Sequence, residues 1–195
     1  MDPRVIRIIR IVLILLVLFL FIWLIIWLFR PSKPSNEPAQ PTTPEATAQQ
    51  EQLQNVRYVQ DGEITGPEQH YSIVITVNAT SRRIDIYNGY NVGPMRSESY
   101  INNQASYDAY YSALKNVGFF STRDNTDNVD RTSYCPLGIR YSYIAGNDLT
   151  DPVLNSWSAS CNRRAGTFAG NAGNVKTLFK NQIPDYATLT KGINL

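Results

Sequence analysis

Hydrophobic residues recur along this chain with three different spacings, and each spacing predicts a different kind of element. From Ile11 to Phe29 there is no spacing at all. The run holds nineteen residues without a charge, a glycine or a proline. As a helix rising about 1.5 Å per residue it would extend roughly 28 Å, close to the hydrocarbon thickness of a bilayer. The expectation is a single transmembrane signal anchor at 11–29. Arg4, Arg7 and Arg10 precede the run, and Arg30 and Lys33 follow it. The balance of flanking cations keeps the basic flank at 1–10 cytoplasmic and carries the C-terminal part outside. Trp23 and Trp27 suit the outer headgroup boundary. The run is longer than a secretory h-region and ends in Trp-Leu-Phe-Arg-Pro-Ser, with no small-residue cleavage site, so an uncleaved anchor is expected.

A period of two appears next. Ile73, Ile75 and Val77, then Ile84 and Ile86, alternate with other side chains about a turn at Asn78–Arg82. This predicts a β-hairpin over Tyr71–Asn88 with one buried face. Asn78-Ala79-Thr80 also reads as a glycosylation sequon, which marks an exposed turn. A second hairpin is expected from Leu137–Ile144 and Val153–Ser160. If Cys135 and Cys161 face each other across it, Leu137 opposes Ala159, Ile139 opposes Trp157, Tyr141 opposes Asn155 and Tyr143 opposes Val153. The apolar positions of both strands then share one face.

The third spacing is helical. Tyr107, Tyr110, Tyr111, Leu114 and Val117 form one stripe, which predicts a helix over Asn103–Val117 with an asparagine N-cap and Gly118 just past its end. Val175, Leu178 and Phe179, continued by Ile183 and stopped by Pro184, predict a last helix from about Asn174. Hairpin, helix, hairpin, helix makes the globular part an α+β domain with a small antiparallel sheet and two helices. It is expected over 56–195. Pro31, Pro34, Pro38, Pro41 and Pro44 stiffen the intervening 30–55 into an extended extracytoplasmic stalk.

Charge and composition narrow the function. The formal net charge of +2 comes largely from the membrane flank, because Val56 onward holds thirteen Lys+Arg against twelve Asp+Glu. A nearly neutral head argues against nucleic acid as partner. Arg82-Arg83 and Arg163-Arg164 read as solvated loop charge. Cys135 and Cys161, both beyond the anchor, read as a disulfide. Two cysteines and one histidine provide too few ligands for a zinc site. Asp124, Asp127 and Asp130 lack a calcium-loop pattern and read as solvated. No cofactor is implied.

No catalytic motif stands in the sequence. His70, the one histidine, reads as an ordinary surface residue whose replacement by alanine leaves fold and activity intact. An envelope hydrolase using His70 is the enzymatic alternative. The glycine-rich 166–173 stretch lacks the Lys-Ser/Thr of a phosphate loop and reads as a mobile connector able to form a binding loop. All twelve tyrosines lie outside the apolar run. Tyrosine suits binding surfaces, and Tyr87, Tyr90, Tyr141 and Tyr143 are the candidates for one; a tyrosine-rich core is the competing reading. The expected function is a membrane-anchored, non-enzymatic cell-envelope protein, held in the lipid bilayer through Ile11–Phe29, whose head binds an envelope protein or a wall polymer. A structural scaffold subunit is the alternative.

Overall fold

The computed structural model describes residues 52–124, 130–161 and 165–195, together with the single positions Leu16 and Leu20. The chain divides into two units, Met1–Thr47 and Ala48–Leu195, of which the second contains nearly all the described residues. The second unit holds the sheet and its helices. Among the described residues no helix is long and apolar enough to cross a membrane. The Ile11–Phe29 run as a whole, its basic flank, nearly all of the proline stalk, Asp127 and Arg163-Arg164 lie outside them.

Six strands form one antiparallel sheet: β1 (Asn55–Asp61), β2 (Tyr71–Asn78), β3 (Ser81–Asn88), β4 (Arg96–Ile101), β5 (Arg140–Gly146) and β6 (Leu154–Ala159). Three helices accompany it: α1 (Gln104–Asn116), α2 (Ala172–Lys180) and the single turn α3 (Tyr186–Leu189). The strand order is β4-β3-β2-β1-β5-β6. The first four strands make a meander, and β5 returns to pair with the free side of β1.

The hairpin expected over Tyr71–Asn88 is present as β2 and β3, with Ile73 opposite Ile86 and Ile75 opposite Ile84. Two strands go beyond the sequence expectation. In β1 the inward positions are Val56, Tyr58 and Gln60, so a buried amide interrupts the apolar alternation. In β4, an edge strand, four of the six side chains are exposed, which leaves little pattern to read. The globular unit also begins before Val56. The Tyr107 hydroxyl donates to the Leu53 carbonyl at 2.6 Å, and Gln54 N–H donates to Asn147 Oδ1 at 3.1 Å.

The α1 stripe falls as expected, with Tyr107, Tyr110, Tyr111 and Leu114 buried. Asn103 Oδ1 accepts the Ser106 N–H at 2.9 Å, capping the first turn. α2 starts at Ala172 rather than near Asn174, because Asn171 Oδ1 accepts the Asn174 N–H and caps the helix earlier. Helices and sheet share one core in which Phe179 meets Tyr58 at 5.3 Å, Phe119 at 5.6 Å and Tyr110 edge-on at 5.6 Å between ring centroids.

The Cys135–Cys161 disulfide is present, but the register inferred from it is not. Tyr141 faces Ser158 rather than Asn155, and Tyr143 faces Ser156 rather than Val153, three residues along. Cys135 does not stand in the ladder. It has φ of 56° and opens a tight turn in which its carbonyl accepts the Gly138 N–H at 3.0 Å. The ladder begins only at Arg140. A slide by an odd number of residues turns every β6 side chain to the other face. Trp157 therefore leaves the helix-covered side and packs with Cys135, Ala159, Ala165 and Tyr134 on the opposite face.

Candidate functional site

The 165–173 segment is a fixed strap, not a mobile connector. Phe168 N–H donates to the Trp157 carbonyl at 3.0 Å along the outer edge of β6. Arg123 N–H donates to Thr167 O at 2.8 Å, Ala169 N–H to Ser121 O at 3.0 Å and Asn171 N–H to Val117 O at 3.0 Å. The Arg123 guanidinium also grips the carbonyls of Gly166 and Ala165 at 3.0 and 3.2 Å. Two glycines make this closeness possible. A Cβ on Gly166, whose φ is +84°, would sit 2.2 Å from the Trp157 carbonyl oxygen; a Cβ on Gly170 would sit 2.2 Å from that of Gly118. These glycines serve contact between backbones, not mobility.

Between this strap, the first turns of α2 and the ends of β5 and β6 lies a cleft of about 490 Å³. Tyr58 and Tyr141 contribute its aromatic lining, their rings near parallel with centroids 6.2 Å apart. Ser158, Ser160 and Asn171 add polar groups, and Phe168 an apolar wall. Two cations, Lys176 and Arg123, line it as well. The Lys176 ammonium stands 6.0 Å from the centroid of the Tyr141 ring. Burial raises the Tyr141 phenol above its ordinary value, so it stays a neutral hydroxyl that can both donate and accept. One turn along α2, Lys180 lies over the Tyr186 ring at 4.6 Å. Its pKa is lowered, first by burial and then by the like charge of Lys176.

The four candidate tyrosines are not brought together. Tyr141 lines this cleft. Tyr143 is fully buried, stacked on Phe168 at 3.7 Å and hydrogen-bonded to Ser158 Oγ at 2.9 Å. It belongs to the core and not to a surface, and burial pushes its phenol up to about 12. Tyr87 and Tyr90 line a second cleft of about 310 Å³, which also holds Asp61 and His70. A third, of about 390 Å³, is rich in amides from Gln52, Gln54, Asn55, Asn78 and Gln104. Several of those amides already bind one another or nearby backbone: Asn78 Nδ2 donates to Asn55 Oδ1, and Asn55 Nδ2 to Asn147 O.

His70 is not a surface residue. It is 3% exposed and stacked on Tyr90 at 4.1 Å between centroids. Nε2 lies 3.1 Å from Asp61 Oδ1, and Nδ1 lies 2.8 Å from the Glu63 carbonyl. Arg140 holds the other Asp61 oxygen at 2.9 Å and donates to Gly62 O at 2.6 Å. Each imidazole nitrogen thus lies within hydrogen-bond distance of an acceptor, and the ring borders the cleft that holds Tyr87 and Tyr90. The cluster ties the end of β1 to β5 and to the loop before β2. Removing the ring would leave a cavity against Tyr90 and take a hydrogen-bond partner from the Asp61 carboxylate or the Glu63 carbonyl, at a cost on the order of 1–3 kcal/mol. His70→Ala is therefore expected to lower the unfolding free energy by about 2–3 kcal/mol in a urea titration. A loss below about 0.5 kcal/mol, the size of an ordinary surface change, would contradict this structural role.

Lys176, Ser158, Asn171 and Phe168 carry no functional signal in the sequence on their own. The usable signal is Asn171 as an N-cap, which starts α2 early and sets Lys176 in its second turn. Among the described residues no group of three or more His, Cys, Asp or Glu side chains is placed to hold a metal ion. Comparison with protein-family models, with curated proteins and with solved structures gives no match to this chain.

Proposed function

We propose that this chain is a single-pass, membrane-anchored envelope protein whose extracytoplasmic domain binds a polar wall polymer in the cleft beneath the 165–173 strap. The observation that carries the binding reading is the lining of that cleft. A half-buried tyrosine ring lies beside serine hydroxyls and a lysine, all set on strands, a capped helix and a hydrogen-bonded strap. Ligand sites characteristically combine apolar and aromatic walls with a few placed polar groups. A site built on rigid elements also loses little entropy when it is filled. The apolar run at 11–29 supports the anchor, the prolines after it support a spacer, and the disulfide fits an oxidising compartment.

The test uses the full chain in detergent micelles to capture fragments of the native cell envelope. Tyr141→Ala is expected to reduce capture at least about tenfold, in line with loss of an aromatic anchor, while the melting temperature stays within a few degrees. Equal capture by both proteins would remove the cleft from consideration. Labelling intact cells with a membrane-impermeant amine reagent tests the topology: modification of the domain only after lysis would contradict the external placement.

A further inference from the structure

Resting on that reading of the cleft, we infer that its ligand is anionic: a sugar unit bearing a carboxylate or a phosphate, held by Lys176.

Among the described residues that line the cleft there are two cations and no carboxylate. The ion pairs among the described residues join Asp61 to His70 and to Arg140, and Arg83 to Asp85; none of them includes Lys176. Its ammonium lies instead against the face of Tyr141. An aromatic ring face carries no net charge and does not neutralise the ammonium. Lys180, one turn away, adds positive charge to the same helix, and the lowering of its pKa is in part the mark of its repulsion by Lys176. The first turn of α2, which borders the cleft, holds no acidic residue, so its dipole adds to the same sign. Partly shielded from water, such a centre attracts a counter-charge more strongly than a solvated surface lysine does.

The rest of the lining asks for hydroxyls. Ser158 Oγ bonds the Tyr143 hydroxyl, and Ser160 Oγ accepts the Ile139 N–H at 2.9 Å. A serine hydroxyl can make further hydrogen bonds beyond each of these. Ser160 Oγ also lies 3.8 Å from Cys135 Sγ, which leaves its remaining lone pair as an acceptor, and the neutral Tyr141 phenol can both donate and accept; together they suit sugar hydroxyls. Anion and polyol recognition therefore meet in one cleft.

The experiment is isothermal titration of the full chain in a sugar-free, uncharged detergent. Tetragalacturonate is the carboxylate probe, glucose 6-phosphate the phosphate probe and chitotetraose the neutral one. At least one anionic probe is expected to bind, more tightly than chitotetraose, and to weaken as salt rises from low to physiological ionic strength. Which of the two binds assigns the acidic group. Lys176→Gln should weaken the anionic probe about tenfold or more, the size of a lost charge-assisted hydrogen bond, with no change in melting temperature; Lys176→Arg should restore most of it. The anionic class is overturned if chitotetraose binds as well as the charged probes, or if Lys176→Gln has no effect. It is also overturned if no probe binds while Tyr141→Ala still abolishes capture of envelope fragments, and in each of these cases the cleft reading stands. If no probe binds and Tyr141→Ala leaves capture unchanged, both readings fall together.

Discussion

Replacing Phe179 with alanine is expected to cost the domain about 4 kcal/mol of unfolding free energy. Its ring is fully buried and is the one contributed by α2 to the centre of the core, where it meets the rings of Tyr58, Tyr110 and Phe119. These partners come from the central strand, from α1 and from the segment after it, and none can move in to fill the space without leaving its own contacts. The loss therefore combines the transfer term of the ring with the cavity left behind. For a domain of this size the melting temperature should fall on the order of 10 °C. Urea denaturation followed by circular dichroism measures it. A cost below about 1.5 kcal/mol would mean that α2 collapses into the vacancy and that the core is less tightly held than its ring contacts imply.

Breaking the disulfide comes next in size. Cys135 and Cys161 are separated by 26 positions, and a closed loop of that length restricts the unfolded chain by about 3–4 kcal/mol in the chain-entropy account. The bridge also closes a small cluster. Cys135 packs with Trp157, Ala159 and Ala165, and Gly138 lies so near the sulfurs that a Cβ there would stand 2.5 Å from Cys135 Sγ. The double variant Cys135→Ser, Cys161→Ser should unfold at markedly lower urea than wild type, and reduction of the wild-type protein should reproduce most of that shift. Coincident urea curves for the oxidised and reduced protein would show that the turn and the Trp157 cluster hold without the bond.

Elements that bury one face with plain apolar residues are legible in the chain itself. The β2–β3 hairpin and α1, with its Asn103 cap and Gly118 terminus, are of this kind. The cysteine pair is legible from its number and position. What escapes a linear reading does so for physical reasons. β1 places Gln60 at an inward position, where its amide donates to the Tyr186 hydroxyl at 3.1 Å, so its alternation looks broken unless the partner is known. β4 is an edge strand and needs little apolar surface. The β5–β6 register goes wrong when the disulfide is assumed to lie in the ladder, whereas this one joins a turn to the end of a strand. His70 looks exposed because its partners, Asp61 and Glu63 before it and Tyr90 well after it, follow no spacing that a local pattern announces.

The site is half legible. Tyr141 and the glycine stretch each stand out in the sequence, for separate reasons. Nothing in the linear order shows that the strap doubles back along β6 and lays one against the other. Tyr143, two residues from Tyr141, reads as its companion and belongs to the core instead. Residues at that spacing share a face of a strand, but depth along the sheet decides whether the face is open.

The place of β1 bears on how the polypeptide assembles as it is made. The first strand of the domain to be synthesised ends up inside the sheet, between β2 and β5. Its pairing with β2 is available early, through a short connection. Its other side must wait for β5: Asp61, at its end, meets Arg140 across 79 positions of sequence. During that interval the meander of β1 to β4 carries an unpaired strand edge with Val56 and Tyr58 on the adjoining face, the kind of surface that templates association with other chains. Closure by β5 is a long-range step and is slow by nature. A nascent chain of this protein is thus most vulnerable in the stretch of synthesis between Ile101 and Gly146.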